Sequence, residues 1–312
     1  MSRFTIKLIV LLTAAGLLSA SELPGRGWTL GTSIGVHWGG AREIVYDNSG
    51  VENQNDYLSL LTWDLQPVVT IGIESRWESG KSGGLDLNLR SGISGMPVGE
   101  MWDYDWLTVN DSRPTYWSVS DIRLRWGFIF DVGYDWNLIS TGIFSFNTGV
   151  GYHFDWWAWR DITKDSSYGV PVGVSAIDYS VIYNVPVFSL KIRFTGRVSY
   201  LKITSRVGPV LAFAHDHHKL RIENGNVDGL NFYDNAFGGP WLDIAISGGF
   251  HSHGNFSFEI IGEYAWLNET KGDSLTVYSD GLTPSTLSED AAGFAFSRIG
   301  VTALFSWDLR GP

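Results

Sequence analysis

Between Asp121 and Trp136 every even position is apolar or aromatic: Ile122, Leu124, Trp126, Phe128, Phe130, Val132, Tyr134 and Trp136. The odd positions carry Asp121, Arg123, Arg125, Asp131 and Asp135, with Gly127, Ile129 and Gly133 between them. Successive side chains of a strand point to opposite faces, so this period of two predicts one greasy and one largely polar face along a strand far longer than the usual length of about 5–6 residues. The alternation returns in Phe188, Leu190, Ile192 and Phe194 against Ser189, Lys191, Arg193 and Thr195. It returns again in Phe256, Phe258, Ile260, Tyr264 and Trp266 against Ser257, Glu259 and Glu263, with Gly262 and Ala265 at small positions. Near the end, Ile299, Val301, Ala303, Phe305, Trp307 and Leu309 run in phase against Arg298, Thr302, Ser306, Asp308 and Arg310. A greasy face of this length is best explained by lipid, and a bilayer core needs only about 9–11 tilted residues of strand, so such strands also continue beyond the membrane as a wall. Beyond the amino-terminal segment there is no run of 18 apolar residues, which excludes helical spans. Lipid tolerates no unpaired strand edges, so the expected fold is all-β, a closed transmembrane antiparallel barrel.

The first residues, with Arg3 and Lys7 before an apolar stretch from Leu8 to Leu18 and the small residues Ser19 and Ala20 after it, read as a signal peptide over 1–20. Residues 21–312 then form one barrel domain. Removal of the leader leaves 20 Lys and Arg against 33 Asp and Glu, a net charge of −13. That balance argues against nucleic acid and favours cationic partners. With no cysteine, neither disulfides nor thiolate metal sites hold the fold. Fifteen Trp and thirteen Tyr suit the aromatic girdles of a membrane barrel; a carbohydrate-binding sandwich would use aromatics too, but not such long one-sided alternation. Turn signals stand at 47–50, 80–84, 223–226 and 280–281, and the polar or Gly-rich tracts Lys164–Ser175 and Lys271–Ala292 are expected to be long outer loops.

Two short motifs offer chemistry. In Met101-Trp102-Asp103-Tyr104-Asp105-Trp106, period two puts Asp103 and Asp105 on one side and the three aromatics on the other. Carboxylates about 7 Å apart along a strand repel, and the repulsion can raise one pKa enough for the pair to hold a proton or orient a water. In Ala214-His215-Asp216-His217-His218, Asp216 and His218 share the phase of Ala212 and Ala214, and a carboxylate beside an imidazole makes it a better base. Alone, each motif is also compatible with a solvated rim, a calcium loop or a fortuitous histidine cluster.

At these residues the chain resembles the omptins, outer-membrane proteases of Gram-negative bacteria. The resemblance extends through Leu30-Gly31-Thr32, Arg42-Glu43-Ile44-Val45-Tyr46, Thr62-Trp63-Asp64-Leu65-Gln66-Pro67, Ile71-Gly72, Gly151-Tyr152, Ala176-Ile177-Asp178-Tyr179, Pro186 and Asp290-Ala291-Ala292-Gly293. It implies a barrel of about ten strands that extends above the outer membrane, with an active groove facing outside. It further implies an aspartate pair at Asp103 and Asp105, an Asp-His couple at Asp216 and His218, direct attack by water, and no metal. Glu43 matches a pocket glutamate that would bind Arg or Lys beside the cleaved bond, so cationic peptides or proteins are the expected substrates of a monomer seated in outer-membrane lipid.

Departures from the pattern are visible. Ala214 stands where some relatives have a further acid, and a strand shifted by one would put His217 in place of His218. After Tyr152 stand His153, Phe154, Asp155 and Trp156, where the family pattern has an acid and an arginine for lipid phosphates, and Ser175 stands where a basic residue would be expected, so lipopolysaccharide dependence is an open cofactor question. The chain also ends on Pro312 rather than on an aromatic residue. The rival readings are a catalytically altered barrel acting as adhesin or cationic-peptide receptor, a lipid-modifying barrel with a Ser-His nucleophile, and a porin. The last is disfavoured because so small a barrel has a lumen filled by side chains.

Overall fold

Long one-sided alternation resolves into long strands. The computed structural model describes residues 26–47, 57–79, 82–107, 113–220, 229–251, 255–278 and 283–309. The expected signal peptide and the turn signals at 48–50, 223–226 and 280–281 lie outside them. Eleven strand segments follow one another: β1 (Arg26–Tyr46), β2 (Tyr57–Ser79), β3 (Gly83–Gly92), β4 (Pro97–Asp105), β5 (Tyr116–Ser140), β6 (Phe144–Ser166), β7 (Ile177–Thr195), β8 (Ser199–His218), β9 (Leu230–His251), β10 (Phe256–Tyr278) and β11 (Thr286–Asp308). Each pairs antiparallel with its neighbours, and β1 pairs with both β2 and β11, which closes the ring. The upper part of β2 pairs with β4 and the lower part with β3, and β5 divides itself between them in the same way. β3 and β4 are therefore two halves of one broken strand, and the wall has ten places, as the family resemblance implies.

Trp38 pairs with Ile299, and Leu30 with Trp307, eight residues lower. At about 3.3 Å per residue and a tilt near 40°, that interval spans roughly 20 Å of height, comparable to the apolar band of a membrane barrel. Its outward side chains are large and apolar: Ile34, Ile71, Phe188, Leu190, Ile246, Ile260 and Val301, with Trp38, Tyr264 and Tyr152 toward one rim and Trp136, Phe194, Phe250 and Trp307 toward the other. Every full-length strand is 19–25 residues long, so about half of each stands clear of the lipid.

Two expectations need correction. The greasy face of β5 is not one face: Ile122 and Leu124 are buried inside the barrel, whereas Trp136 is exposed on its outside. A register shift between Leu124 and Trp126, against Trp159 and Ala158 of β6, inserts one extra residue. A bulge of this kind turns every following side chain to the opposite face. The tract 271–292 is not mainly loop either, since β10 runs to Tyr278 and β11 starts at Thr286, the two remaining paired to Thr276 and Thr286. Asp290 takes a left-handed φ of 52° there, and its backbone N–H donates to Asp273 Oδ1 at 3.0 Å. The other expected loop begins later than predicted, because β6 extends to Ser166.

The lumen is stratified. At membrane height it is packed with ion pairs: Arg90 with Glu263 at 2.9 Å, Arg298 with Asp155 at 3.0 Å, His153 with Asp131 at 2.7 Å, and Arg206 with Asp243 at 2.9 Å. Above them lies an apolar plug. Ala41, Trp63, Met101, Leu124, Trp157, Trp159, Tyr179, Tyr183, Ala212, Trp241, Leu267, Phe294 and Phe296 belong to one buried cluster. On β6 the sequence gives the layers directly, with Asp155 in the ion pairs, Trp157 and Trp159 in the plug, and Asp161 above. Gly127 makes room for this packing, because a Cβ there would lie 2.4 Å from the Trp157 ring.

Candidate active site

The plug forms the floor of a cleft lined by acids. Trp63 stacks on Tyr179 with centroids 4.1 Å apart and on Trp159 at 5.8 Å, a rigid aromatic base. One step above the plug on β8, alternation carries the inward phase from Ala212 and Ala214 to Asp216 and then His218. His218 Nε2 lies 2.5 Å from Asp216 Oδ2; Asp216 is buried, and the His218 side chain keeps 17% of its surface exposed. Phe232 meets the imidazole edge-on at 5.4 Å. His217 lies on the other face, paired in register with Asp178 and parallel to the ring of His215.

On β4, Asp103 and Asp105 are both buried and point inward, while Trp102 and Tyr104 stack on one another outside, 6.2 Å apart. In register they face Ser118 and Tyr116 of β5. In the ring of ten places β4 and β8 are four apart through β5, β6 and β7, so the aspartate pair and the Asp-His couple stand on well-separated walls of one mouth.

Glu43 comes from β1, fully buried, where it receives a hydrogen bond from Tyr179 and shares another with Asp234. Burial first, then the negative fields of Asp216 and Asp234, hold its carboxyl well above the usual range. Asp234 itself is pushed up to about 6, chiefly by burial, although hydrogen bonds from Ser274 and Glu43 favour its charged form. Burial also raises the Tyr179 phenol, with the Glu43 charge next. Both shifts run in the same direction, so the pair favours its protonated forms. Glu43 Oε2, Asp216 Oδ1 and Asp234 Oδ1 are all buried without a hydrogen-bond partner among the described residues. Three acceptors so placed require donors, which water or a cationic side chain can supply.

The sequence reading missed Asp234. It lies on β9 as the register partner of Ala214, so the acid absent at 214 is offered from the adjacent strand. The available signal was alternation, Phe232, Asp234 and Ala236 being in phase. Also missed was Asp161, which accepts from the hydroxyls of Ser120 and Ser175 and the backbone N–H groups of Ala176 and Ile177 at 2.7–3.1 Å. Among the described residues no group of three or more His, Cys, Asp and Glu has an arrangement suited to a metal ion.

The family model of the omptins matches residues 26–309. The chain belongs to the omptin family. Among solved structures, the outer membrane protease OmpT from Escherichia coli superposes with a TM-score of 0.81 at 17% identity, over 93% of this chain and 99% of that one. The translocator domain of the autotransporter NalP from Neisseria meningitidis matches at a TM-score of 0.31 and 10% identity, covering 96% and 95% of the two chains. The transport unit of the autotransporter AIDA-I from Escherichia coli gives 0.37 at 9%, covering 96% and 97%. No curated protein matches in sequence. Family and barrel together support an outer-membrane protease of the omptin type. In this omptin the long strands raise the acidic cleft above the lipid band, and the ion pairs and plug beneath it fill the lumen, unlike the open channel of a porin.

Proposed function

We propose that this omptin is an outer-membrane endopeptidase that cleaves cationic peptides or proteins beside a basic residue, with its cleft facing outside. The observation that carries the reading is the 2.5 Å contact between Asp216 and His218 in the cleft that also holds Asp103 and Asp105. Asp216 fixes the imidazole, and His218 takes a proton from water as the water oxygen bonds to the scissile carbonyl carbon. Asp103 and Asp105 orient that water and manage charge at the carbonyl. Collapse of the tetrahedral intermediate returns the proton to the leaving nitrogen, without an acyl-enzyme and without a metal.

Glu43 and Asp234 supply the preference. An arginine or lysine entering beside them meets buried acceptors and forms charge-assisted hydrogen bonds. Lipopolysaccharide remains a candidate activator. Phe154, Trp156 and Ser175 offer no cation, but Arg125, Arg160 and Lys219 gather around Asp178 on the outer rim at 2.9–3.2 Å. The test is incubation of the refolded barrel with quenched peptides containing Arg-Arg or Lys-Lys, with and without lipopolysaccharide, beside Asp103→Ala and His218→Ala. Cleavage by the wild type alone supports the reading; peptide binding without cleavage by a folded wild type would replace it with a receptor.

A further inference from the structure

We propose that Tyr168, in the segment between β6 and β7, is a positioning residue for the carboxylate pair: its phenol donates to Asp105 Oδ2 at 2.6 Å. The inference rests on the peptidase reading and extends it to a residue that no motif of the chain marks.

The delivery of this hydroxyl is built into the wall. On the amino-terminal side, Ser167 exchanges hydrogen bonds with Trp117 of β5, its N–H donating to the Trp117 carbonyl at 2.9 Å and its Oγ receiving the Trp117 N–H at 2.7 Å. The N–H of Tyr168 donates to Ser166 Oγ at 3.1 Å. On the carboxyl-terminal side, Gly173 and Val174 fold back on Thr163, and Asp161 clamps Ser175, Ala176 and Ile177. Gly169 and Gly173, at φ of 80° and 84°, supply the left-handed positions the return requires. The Tyr168 ring then stacks on Tyr116 at 5.1 Å, and Tyr116 is the register partner of Asp105. Segment, ring and hydroxyl are thus fixed before any substrate arrives.

A phenol hydrogen bond fixes the carboxylate oxygen that accepts it. With Oδ2 held by Tyr168, Oδ1 is the oxygen left to orient water. Asp103 on its own strand and Tyr116 on β5 are the titratable groups that the register sets beside Asp105. A tyrosine that merely packed would act through its ring. The geometry therefore separates the two roles cleanly, since Tyr168→Phe keeps the stack on Tyr116 and removes only the donor.

The experiment compares wild type, Tyr168→Phe and His218→Ala on one Arg-containing quenched peptide across pH 5–9. Tyr168→Phe is expected to lose about tenfold in kcat, the scale of one hydrogen bond to a charged group. Its KM should stay within about twofold, because uniform substrate binding is untouched. If the wild type cleaves, His218→Ala does not, and Tyr168→Phe matches the wild type in kcat, the positioning role is wrong while the peptidase reading stands. A rise confined to KM would make Tyr168 a substrate contact and overturn the role equally. If the folded wild type does not cleave, the peptidase reading falls and this inference falls with it.

Discussion

His218 and Asp216 form the contact on which the proposed chemistry rests, and removing His218 is expected to lower kcat by about 10²–10⁴-fold, the usual contribution of a positioned general base. Asp216→Asn should also be severe, because the amide cannot stabilise an imidazolium, and the pH profile of the residual rate reads that effect. Glu43 and Asp234 make a prediction of opposite sign for activity and stability. Their carboxyls are raised in the fold, so their contribution to stability is full below the ordinary carboxylate range and is lost as pH rises through about 6 and beyond. Asp234→Asn should therefore raise the thermal midpoint at pH 8 relative to wild type and bring little gain at pH 5. The same substitution should raise KM for Arg substrates, and the wild-type KM should fall from about pH 5 to about pH 7 as Asp234, pushed up to about 6, ionises. A calorimetric series at the two pH values and a KM series over that range check both signs.

The elements were legible where one face met lipid and the other a polar lumen, as in β7, β10 and the lower part of β11. β5 shows how alternation can mislead. Above the bulge its even positions face the apolar plug, and below it they face lipid, so the change of backbone phase coincides with the change in where apolar residues are wanted. The two changes cancel in the sequence, and a broken face reads as a continuous one. The upper parts of β10 and β11 were illegible for a different reason: a wall rising from the membrane is wetted outside and lines an acidic cleft inside, so both faces are polar and period two fades. Asp234 was hidden in the same kind of stretch, whereas Asp103, Asp105, Asp216 and His218 alternate with aromatic or small neighbours and could be assigned a face at once. At this scale Gly127→Leu should drive its side chain into the Trp157 ring and loosen the plug, observable as a red shift and broadening of tryptophan emission.

The whole molecule is a stack of three layers inside one closed wall. Ion pairs occupy the lumen within the membrane, aromatic packing seals them, and the acidic cleft stands above the seal. Buried pairs add little net stability against desolvation, yet losing one partner leaves an unpaired charge at a cost of about 3–5 kcal/mol. Arg90→Ala, which takes from Glu263 its nearest partner and leaves it His37 at 3.1 Å and Arg298 at 3.7 Å, should lower the urea midpoint of unfolding, whereas removing the half-exposed Arg160 should leave stability nearly unchanged. The acidic surface and the buried acceptors beside Asp216 both suit a cationic chain lying across the mouth. The measurement that tests the account most directly is mass-spectrometric mapping of cut sites in a mixed peptide library, using the folded barrel beside its His218→Ala variant. Cuts next to Arg or Lys with the wild type, and none with the variant, are the predicted result. Cuts that persist in the variant, or that ignore basic residues, would contradict it.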